Sequence, residues 1–260
     1  MKLTTFALSC ALALAIFLFA QGRHTPVEQP AFNHVIDLTH ALNSSVPAFD
    51  PGEKLAARTV STFAKQGYFA REITLPEHFG THFDAPAHMT ANRWTVDQVP
   101  AERLVRPLIV IDVTDKVKND PDYRVSVDDL ANWEQAHGHV PPGALVVART
   151  GWDSRWDSAQ RYRNADARGV PHFPGWSLDA AKFLVEARNV VGLGIDTLSV
   201  DYGPSTNFPV HRYCTARDLY QVENLANLAM VPPIGALVVV APIKLEGGSG
   251  APARVLALVK

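Results

Sequence analysis

Three histidines and an aspartate fall within eleven residues of this sequence, at His78, His82, Asp84 and His88. In extended backbone, alternate side chains point to the same face, so the even spacing of His78, His82 and Asp84 predicts that they converge. Neutral imidazoles and a carboxylate are the ligands of zinc and neighbouring first-row metals. Pro86 ends the extended stretch, and His88 is expected to enter from another direction. The segment therefore predicts a metal site; a polar edge strand with scattered histidines is the alternative, which this density disfavours.

The same segment resembles the H-x-G-T-H-x-D-x-P-x-H motif of the metal-dependent cyclase family, which includes bacterial kynurenine formamidases and isatin hydrolases. The match covers every specified position: His78, Gly80, Thr81, His82, Asp84, Pro86 and His88. The likeness extends to a D-L-T segment at 37–39 and to the run G-I-D-T-L-S-V-D at 194–201. Further on, His211 precedes Glu223 by the interval that separates a second-metal histidine from a bridging glutamate in the formamidases.

The resemblance implies a ligand set and a fold. His78, His82 and Asp84 would bind the first metal, Asp84 would bridge to a second metal held by His211, and Glu223 would bridge from the other side. Zinc is the expected metal and manganese the alternative, as one or two ions per subunit. The resemblance further implies the swivelling β/β/α fold and a homodimer.

His88 is the candidate proton carrier, taking a proton from the attacking water and returning it to the leaving nitrogen. Direct metal binding and a supporting role beside the metal are the alternatives for this residue. We favour general acid and base catalysis, since the other histidines of the motif already fill ligand positions.

The substrate pocket departs from the formamidase pattern. Those enzymes place a tryptophan before a P-G-D turn, whereas this chain has Phe49 nearest that position, in the run Pro-Ala-Phe-Asp-Pro-Gly-Glu. Phe49 can still stack on a ring. We expect a small substrate with an activated carbonyl beside an aromatic group, cleaved by a metal-activated water: an amide, a formamide or a lactam such as isatin. A lactone hydrolase or cyclase on the same site is one alternative, and a non-catalytic periplasmic protein that binds a metal or ligand is another.

The first twenty residues have the layout of a secretory signal, with a basic start, a short apolar run and a polar exit after Ala20. We expect cleavage there, a flexible lead at 21–31, a hydrolase domain at 32–260 and a periplasmic or secreted enzyme with no stable membrane insertion. An uncleaved anchor is the alternative. Cleavage would leave Cys214 as the single thiol, which disfavours a cysteine-rich structural zinc site. Cys214 itself is interpreted as an apolar core residue rather than a ligand.

The net charge of −2 shows no basic excess, which disfavours nucleic-acid binding. Apolar runs bounded by glycine and proline predict buried strands at 108–113 and 144–148. Helices are predicted at 126–137, where Gly138 ends the helix, and at 177–187. Further strands are predicted at 34–38, 59–62, 70–75, 190–195, 234–240 and 255–259. The alternation of strands and helices predicts one mixed α/β domain.

Overall fold

The computed structural model describes residues 32–260. The predicted signal peptide at 1–20 and the flexible lead at 21–31 lie outside these residues. The strands are β1 (His34–Asp37), β2 (Ala56–Ser61), β3 (Ala70–Thr74), β4 (His82–Asp84), β5 (Val105–Asp112), β6 (Arg124–Val125), β7 (Leu145–Arg149), β8 (Gly175–Trp176), β9 (Gly192–Ile195), β10 (Tyr220–Glu223), β11 (Ala236–Pro242) and β12 (Gly250–Val259). The α-helices are α1 (Phe63–Gln66), α2 (Thr114–Val117), α3 (Val127–His137), α4 (Ala159–Arg163), α5 (Leu178–Arg188) and α6 (Pro209–Thr215).

The main sheet has eight strands in the order β1-β12-β11-β5-β7-β9-β10-β4, and β12 pairs in addition with β4. That second pairing closes the sheet into a barrel, with β1 alongside β12. Strands β5, β7, β9 and β10 are parallel, and the remaining pairs of this sheet are antiparallel. Closure pairs the edge of β4, which would otherwise present unpaired backbone groups, and leaves β1 as an edge strand.

Alternate residues of the parallel strands pack into two separate cores, as the period of a strand requires. Leu108 and Val110 of β5 lie in the core inside the barrel, together with Phe83 of β4 and Val222 of β10. Their neighbours on β5, with the apolar faces of α3 and α5, form a second core outside the barrel. Parallel strands that are covered on both faces have apolar sequences, which is why β5, β7 and β9 were predicted from the sequence.

The two longer helices begin where their capping residues predict. Ser126 and Asp129 form a reciprocal capping box at the start of α3, and Gly138 lies at its C-terminal end. Ser177 accepts from the backbone N–H of Ala180 at the start of α5. Within residues 32–260, no helix is long and apolar enough to cross a membrane.

The prediction of one extended backbone through the histidine motif is wrong. Strand β4 covers only His82–Asp84, and Gly80 before it has a φ of 68°. A side chain at Gly80 would collide with Leu42, so glycine is needed both for this conformation and for the space. His78 consequently reaches the site from an irregular segment before the strand, rather than by alternation along it.

Candidate metal centre

Strands β4 and β10 place three of the predicted ligands on one face of the barrel wall. Their antiparallel register sets His82 opposite Glu223 and Asp84 opposite Gln221. Cross-strand partners share a face, and residues two apart in a strand share it as well. Since Phe83 points into the barrel core, His82 and Asp84 must point outward. The paired strands therefore bring one imidazole and two carboxylates together.

Helix α6 supplies His211 to the same face. Asp201 accepts hydrogen bonds from the backbone N–H groups of Val210 (3.0 Å) and His211 (3.1 Å) in the first turn of this helix. The same buried carboxylate lies 2.8 Å from Nδ1 of His211. The bond at Nδ1 leaves Nε2 of His211 directed at Asp84 and Glu223, at 3.4 and 3.2 Å.

The remaining distances make one cluster of these side chains. Nε2 of His82 lies 3.2 Å from Oδ1 of Asp84 and 3.5 Å from Oε2 of Glu223. Nδ1 of His78 lies 2.6 Å from Oδ1 of Asp84, while its Nε2 is 3.0 Å from Oγ of Ser249. Ligand atoms lie within 4.8 Å of one another in two triplets that share Asp84: His78, His82 and Asp84, and Asp84, His211 and Glu223. The structure thus brings all five predicted ligands together, although His78 and Glu223 are far apart in the sequence.

The cluster fits a divalent cation. Oδ2 of Asp84 is buried and has no hydrogen-bond partner among the described residues. An unpartnered buried carboxylate oxygen is costly unless a cation compensates it. Burial lowers the pKa of His82, but the charges of Asp84 and Glu223 outweigh burial and raise this pKa to about 9. The carboxylates thus create a strongly negative potential, which a metal ion would neutralise in place of protons.

A cavity of about 260 Å³ opens onto the cluster. His88 lines it at the end of a short 3₁₀ turn, with its ring 4.0 Å from that of His78. Burial, together with the neighbouring histidines and against the opposing charge of Asp84, lowers the pKa of His88 to about 4. Its imidazole forms no hydrogen bond to any residue from 32 to 260, so it is available to a water or a substrate.

Two aromatic residues flank the cavity. Phe49, which is 41% exposed, lines it as predicted. Phe208 also lines the cavity and packs against Phe49, with the two ring centroids 6.0 Å apart. Phe208 has a φ of 48°, a conformation that aromatic residues rarely adopt. The cavity therefore combines a polar floor with aromatic sides.

Sequence reasoning missed Asp201 and Phe208. Asp201 ends the run 194–201 and precedes His211 by ten residues, so the second carboxylate of that run was the available signal. Cys214 is fully buried in the core outside the barrel, as interpreted, and belongs to neither ligand triplet. Asp37 accepts from the backbone N–H of Thr39 and pairs with Arg254, away from the cluster.

Comparison with known proteins agrees with this geometry. Residues 36–202 match the model of the Cyclase family. The chain belongs to the cyclase family. The isatin hydrolase of Roseibium aggregatum is 35% identical over 242 residues, which cover 86% of this chain and 91% of that protein. The kynurenine formamidase of Salinibacter ruber is 29% identical over 182 residues, with 70% and 76% covered.

Solved structures of this cyclase family confirm the predicted fold. Isatin hydrolase A from Ralstonia solanacearum superposes with a TM-score of 0.84 at 33% identity, covering 100% of this chain and 98% of that one. The relatives, together with the ligand triplets, identify the chain as a metal-dependent hydrolase of C–N bonds other than peptide bonds. The sequence prediction of this activity is confirmed.

Proposed function

We propose that this hydrolase opens the lactam ring of isatin or of a closely related bicyclic amide. The observation that carries the proposal is the 35% identity to an isatin hydrolase across 86% of the chain. The cavity supports it, because about 260 Å³ lined on one side by an aromatic pair suits a small planar substrate. Isatin is such a molecule: its amide carbonyl is activated by the adjacent ketone, and its amide nitrogen is bonded to the aromatic ring.

We propose His78, His82, Asp84, His211 and Glu223 as the metal ligands, with Asp84 common to both triplets. When bound, a divalent cation polarises the substrate carbonyl and lowers the pKa of a water molecule. Asp84 and Glu223 offset the positive charge at the site, while Asp201 holds the ring of His211 in place. Zinc is the proposed ion in preference to manganese, and elemental analysis of the purified protein tests this choice.

Ring opening requires the transfer of one proton. Water oxygen forms a bond to the amide carbon and the C–N bond breaks. One water proton passes to the nitrogen, which leaves as an aryl amine, and the other is released to solvent as the new acid ionises to a carboxylate. His88 lines the cavity with a free imidazole and is the proposed carrier of this proton from the water to the nitrogen. Phe49 and Phe208 would hold the ring, so that its carbonyl faces the floor.

A side-by-side substrate panel tests the proposal. We expect metal-loaded protein to hydrolyse isatin with a higher kcat/KM than N-formylkynurenine or a dienelactone. Preference for N-formylkynurenine would favour the formamide reaction of the kynurenine formamidases. Preference for the lactone would favour lactone hydrolysis, and no turnover of any of the three would favour a binding protein.

Replacing Phe49 with alanine is expected to lower kcat/KM for the aryl substrate about three- to tenfold, mainly through KM. A stacked aromatic pair is worth about 0.5–1.5 kcal/mol beyond its buried area. Phe49→Tyr should keep most of the activity. Phe63→Ala is the matched control, since Phe63 is 74% exposed on α1 and does not line the cavity. An unchanged KM in Phe49→Ala would remove Phe49 from the substrate site.

Replacing Asp201 with asparagine is expected to weaken metal binding about 10- to 100-fold, the range for residues that orient metal-bound histidines. Asparagine retains one acceptor oxygen, but its NH₂ group is a hydrogen-bond donor. This donor would face the backbone N–H of Val210 or His211, which is a donor as well. Competition with a chelating dye measures the affinity. Asp129→Asn is the control, because Asp129 is also a buried carboxylate but caps α3. Equal loss of metal affinity in both variants would assign the Asp201 effect to general destabilisation.

We further propose that the protein is exported after cleavage near Ala20 and acts as a homodimer. The apolar run in the first twenty residues supports export, and the resemblance to the cyclase family supports the dimer. N-terminal sequencing of protein from the exported fraction and light scattering of the purified protein test these two points.

A further inference from the structure

A second cavity, of about 660 Å³, lies at the opposite end of the barrel from the metal cluster. Its walls include Gly143, Val191 and Leu219, which lie one or two residues before the strands β7, β9 and β10. The metal cluster, in contrast, uses Glu223 at the carboxyl end of β10. The two cavities therefore share no lining residue.

Three arginines line this second cavity: Arg103, Arg106 and Arg217. Nη2 of Arg103 donates to the backbone carbonyls of Asp218 (2.9 Å) and Val191 (3.3 Å), and its guanidinium lies 5.4 Å from the ring of Trp94. These contacts fix the guanidinium in place. Nε of Arg103 is nevertheless buried and has no hydrogen-bond partner within residues 32–260. A buried N–H donor of this kind is expected to have a partner.

Arg106 is held in a comparable way. Its Nε donates to the backbone carbonyl of Gly143 at 2.6 Å. Gly143 has a φ of 75°, and a side chain there would collide with Nη2 of Arg106. Glycine thus lets the guanidinium lie directly against the backbone at the cavity wall. Arg217 donates to the carbonyl of Tyr213 at 3.2 Å.

The charge of these arginines is not balanced by carboxylates. None of the three is within 4.0 Å of a carboxylate oxygen in the described part of the chain, and the side chain of Asp218 is paired with Arg93 instead. Glu102 is the acidic residue that lines the cavity. Burial lowers the pKa of Arg103, and Arg106 adds to this effect while Asp218 and Glu102 oppose it. The cavity therefore concentrates positive charge at preformed donors.

We propose that this cavity binds a small oxyanion of the phosphate or carboxylate class through Arg103 and Arg106, with Arg217 at its rim. Guanidinium groups match the planar spacing of two oxyanion oxygens and donate charge-assisted hydrogen bonds to them. An oxyanion would supply the missing countercharge of these guanidinium groups. The site is separate from catalysis and stands whether or not isatin is the substrate.

Calorimetric and thermal-shift titrations of the metal-loaded full-length chain test this site. Inorganic phosphate and benzoate are the two probes, each titrated at constant ionic strength so that screening does not change. We expect saturable binding of at least one probe, with a rise in Tm. Arg106→Gln should raise its Kd at least about tenfold, because a charge-assisted hydrogen bond is lost. The probe that binds distinguishes a phosphate ligand from a carboxylate such as a hydrolysis product.

Two comparisons make the test specific. Arg71→Gln removes an arginine charge from the exposed strand β3 and should leave the Kd unchanged. Arg217→Gln, which removes a rim donor with few protein contacts, should raise the Kd less than Arg106→Gln does. Absence of saturable binding for both probes would overturn the proposal. It would also be overturned by binding that survives Arg106→Gln and disappears in His82→Ala, since that result places the anion at the metal cluster.

Discussion

Replacing His82 with alanine is expected to abolish hydrolysis and to remove most of the metal from the protein. His82 is buried between Asp84 and Glu223, with Nε2 at 3.2 and 3.5 Å from their carboxylate oxygens. Its Nδ1 donates to the carbonyl of Gly80 at 2.9 Å when Nε2 is the free ligand atom. Without this imidazole, two buried carboxylates would face each other, and the metal site would have one neutral ligand fewer. Elemental analysis and kcat/KM for isatin measure the two effects.

His172→Ala provides the matched control for this variant. His172 is a half-buried histidine that pairs with Asp122 at 2.7 Å and does not line the catalytic cavity. Its replacement should leave metal content and activity near those of the wild type. Treatment of wild-type protein with a chelator should reproduce the activity loss of His82→Ala. Adding metal back should restore the activity of the chelator-treated wild type but not that of His82→Ala. A metal content in His82→Ala equal to that of the wild type would remove His82 from the ligand set.

Helices and strands could be predicted from the sequence where the residues that start and end them lie at or next to their own ends. Ser126 and Gly138 delimit α3, and both signals act on backbone groups a few residues away. The parallel strands β5, β7 and β9 were predicted because burial on both faces favours apolar runs, whereas β10, with Gln221 and Glu223, was not predicted. In the same way, the histidine motif carries its ligand types in a short interval, so the metal chemistry could be inferred before the fold.

Helix α6 has Pro209 at its first position as a local start signal, but no capping side chain in the adjacent sequence. It begins at Pro209 after Phe208, which has no capping side chain. The carboxylate that satisfies its first N–H groups belongs to Asp201, on the loop that follows β9. One residue thus both caps the helix and orients His211. Capping by a distant side chain leaves no pattern in the helix sequence itself.

Closure of the barrel likewise could not be predicted from sequence patterns. The first residues of β12 pair with β4 in the register Gly250–Asp84 and Pro252–His82, and these residues are far apart in the chain. The predicted strand 255–259 omits the first residues of β12, which begins at Gly250 directly after Ser249, a contact of His78. Strand pairing over such separations depends on the whole sheet, not on any local signal.

Replacing His88 with alanine is expected to slow turnover by about 10²- to 10⁴-fold while most of the metal stays bound. The ring of His88 packs 4.0 Å from that of His78 but is absent from both ligand triplets. Its imidazole is also free of protein hydrogen bonds within the described residues, so both ring nitrogens are available to a water or a substrate. Single-turnover kinetics with isatin, alongside elemental analysis, separates loss of proton transfer from loss of metal.

A rescue experiment distinguishes proton transfer from packing. Because alanine leaves a space beside His78, added imidazole should restore part of the activity of His88→Ala, more so than an equal concentration of pyrazole, which is a far weaker base. His88→Gln can donate and accept hydrogen bonds but cannot carry a proton at neutral pH, so it should remain as slow as alanine. If His88→Ala instead lost metal as completely as His82→Ala, His88 would be a metal ligand, and the proton would have to be carried by another group.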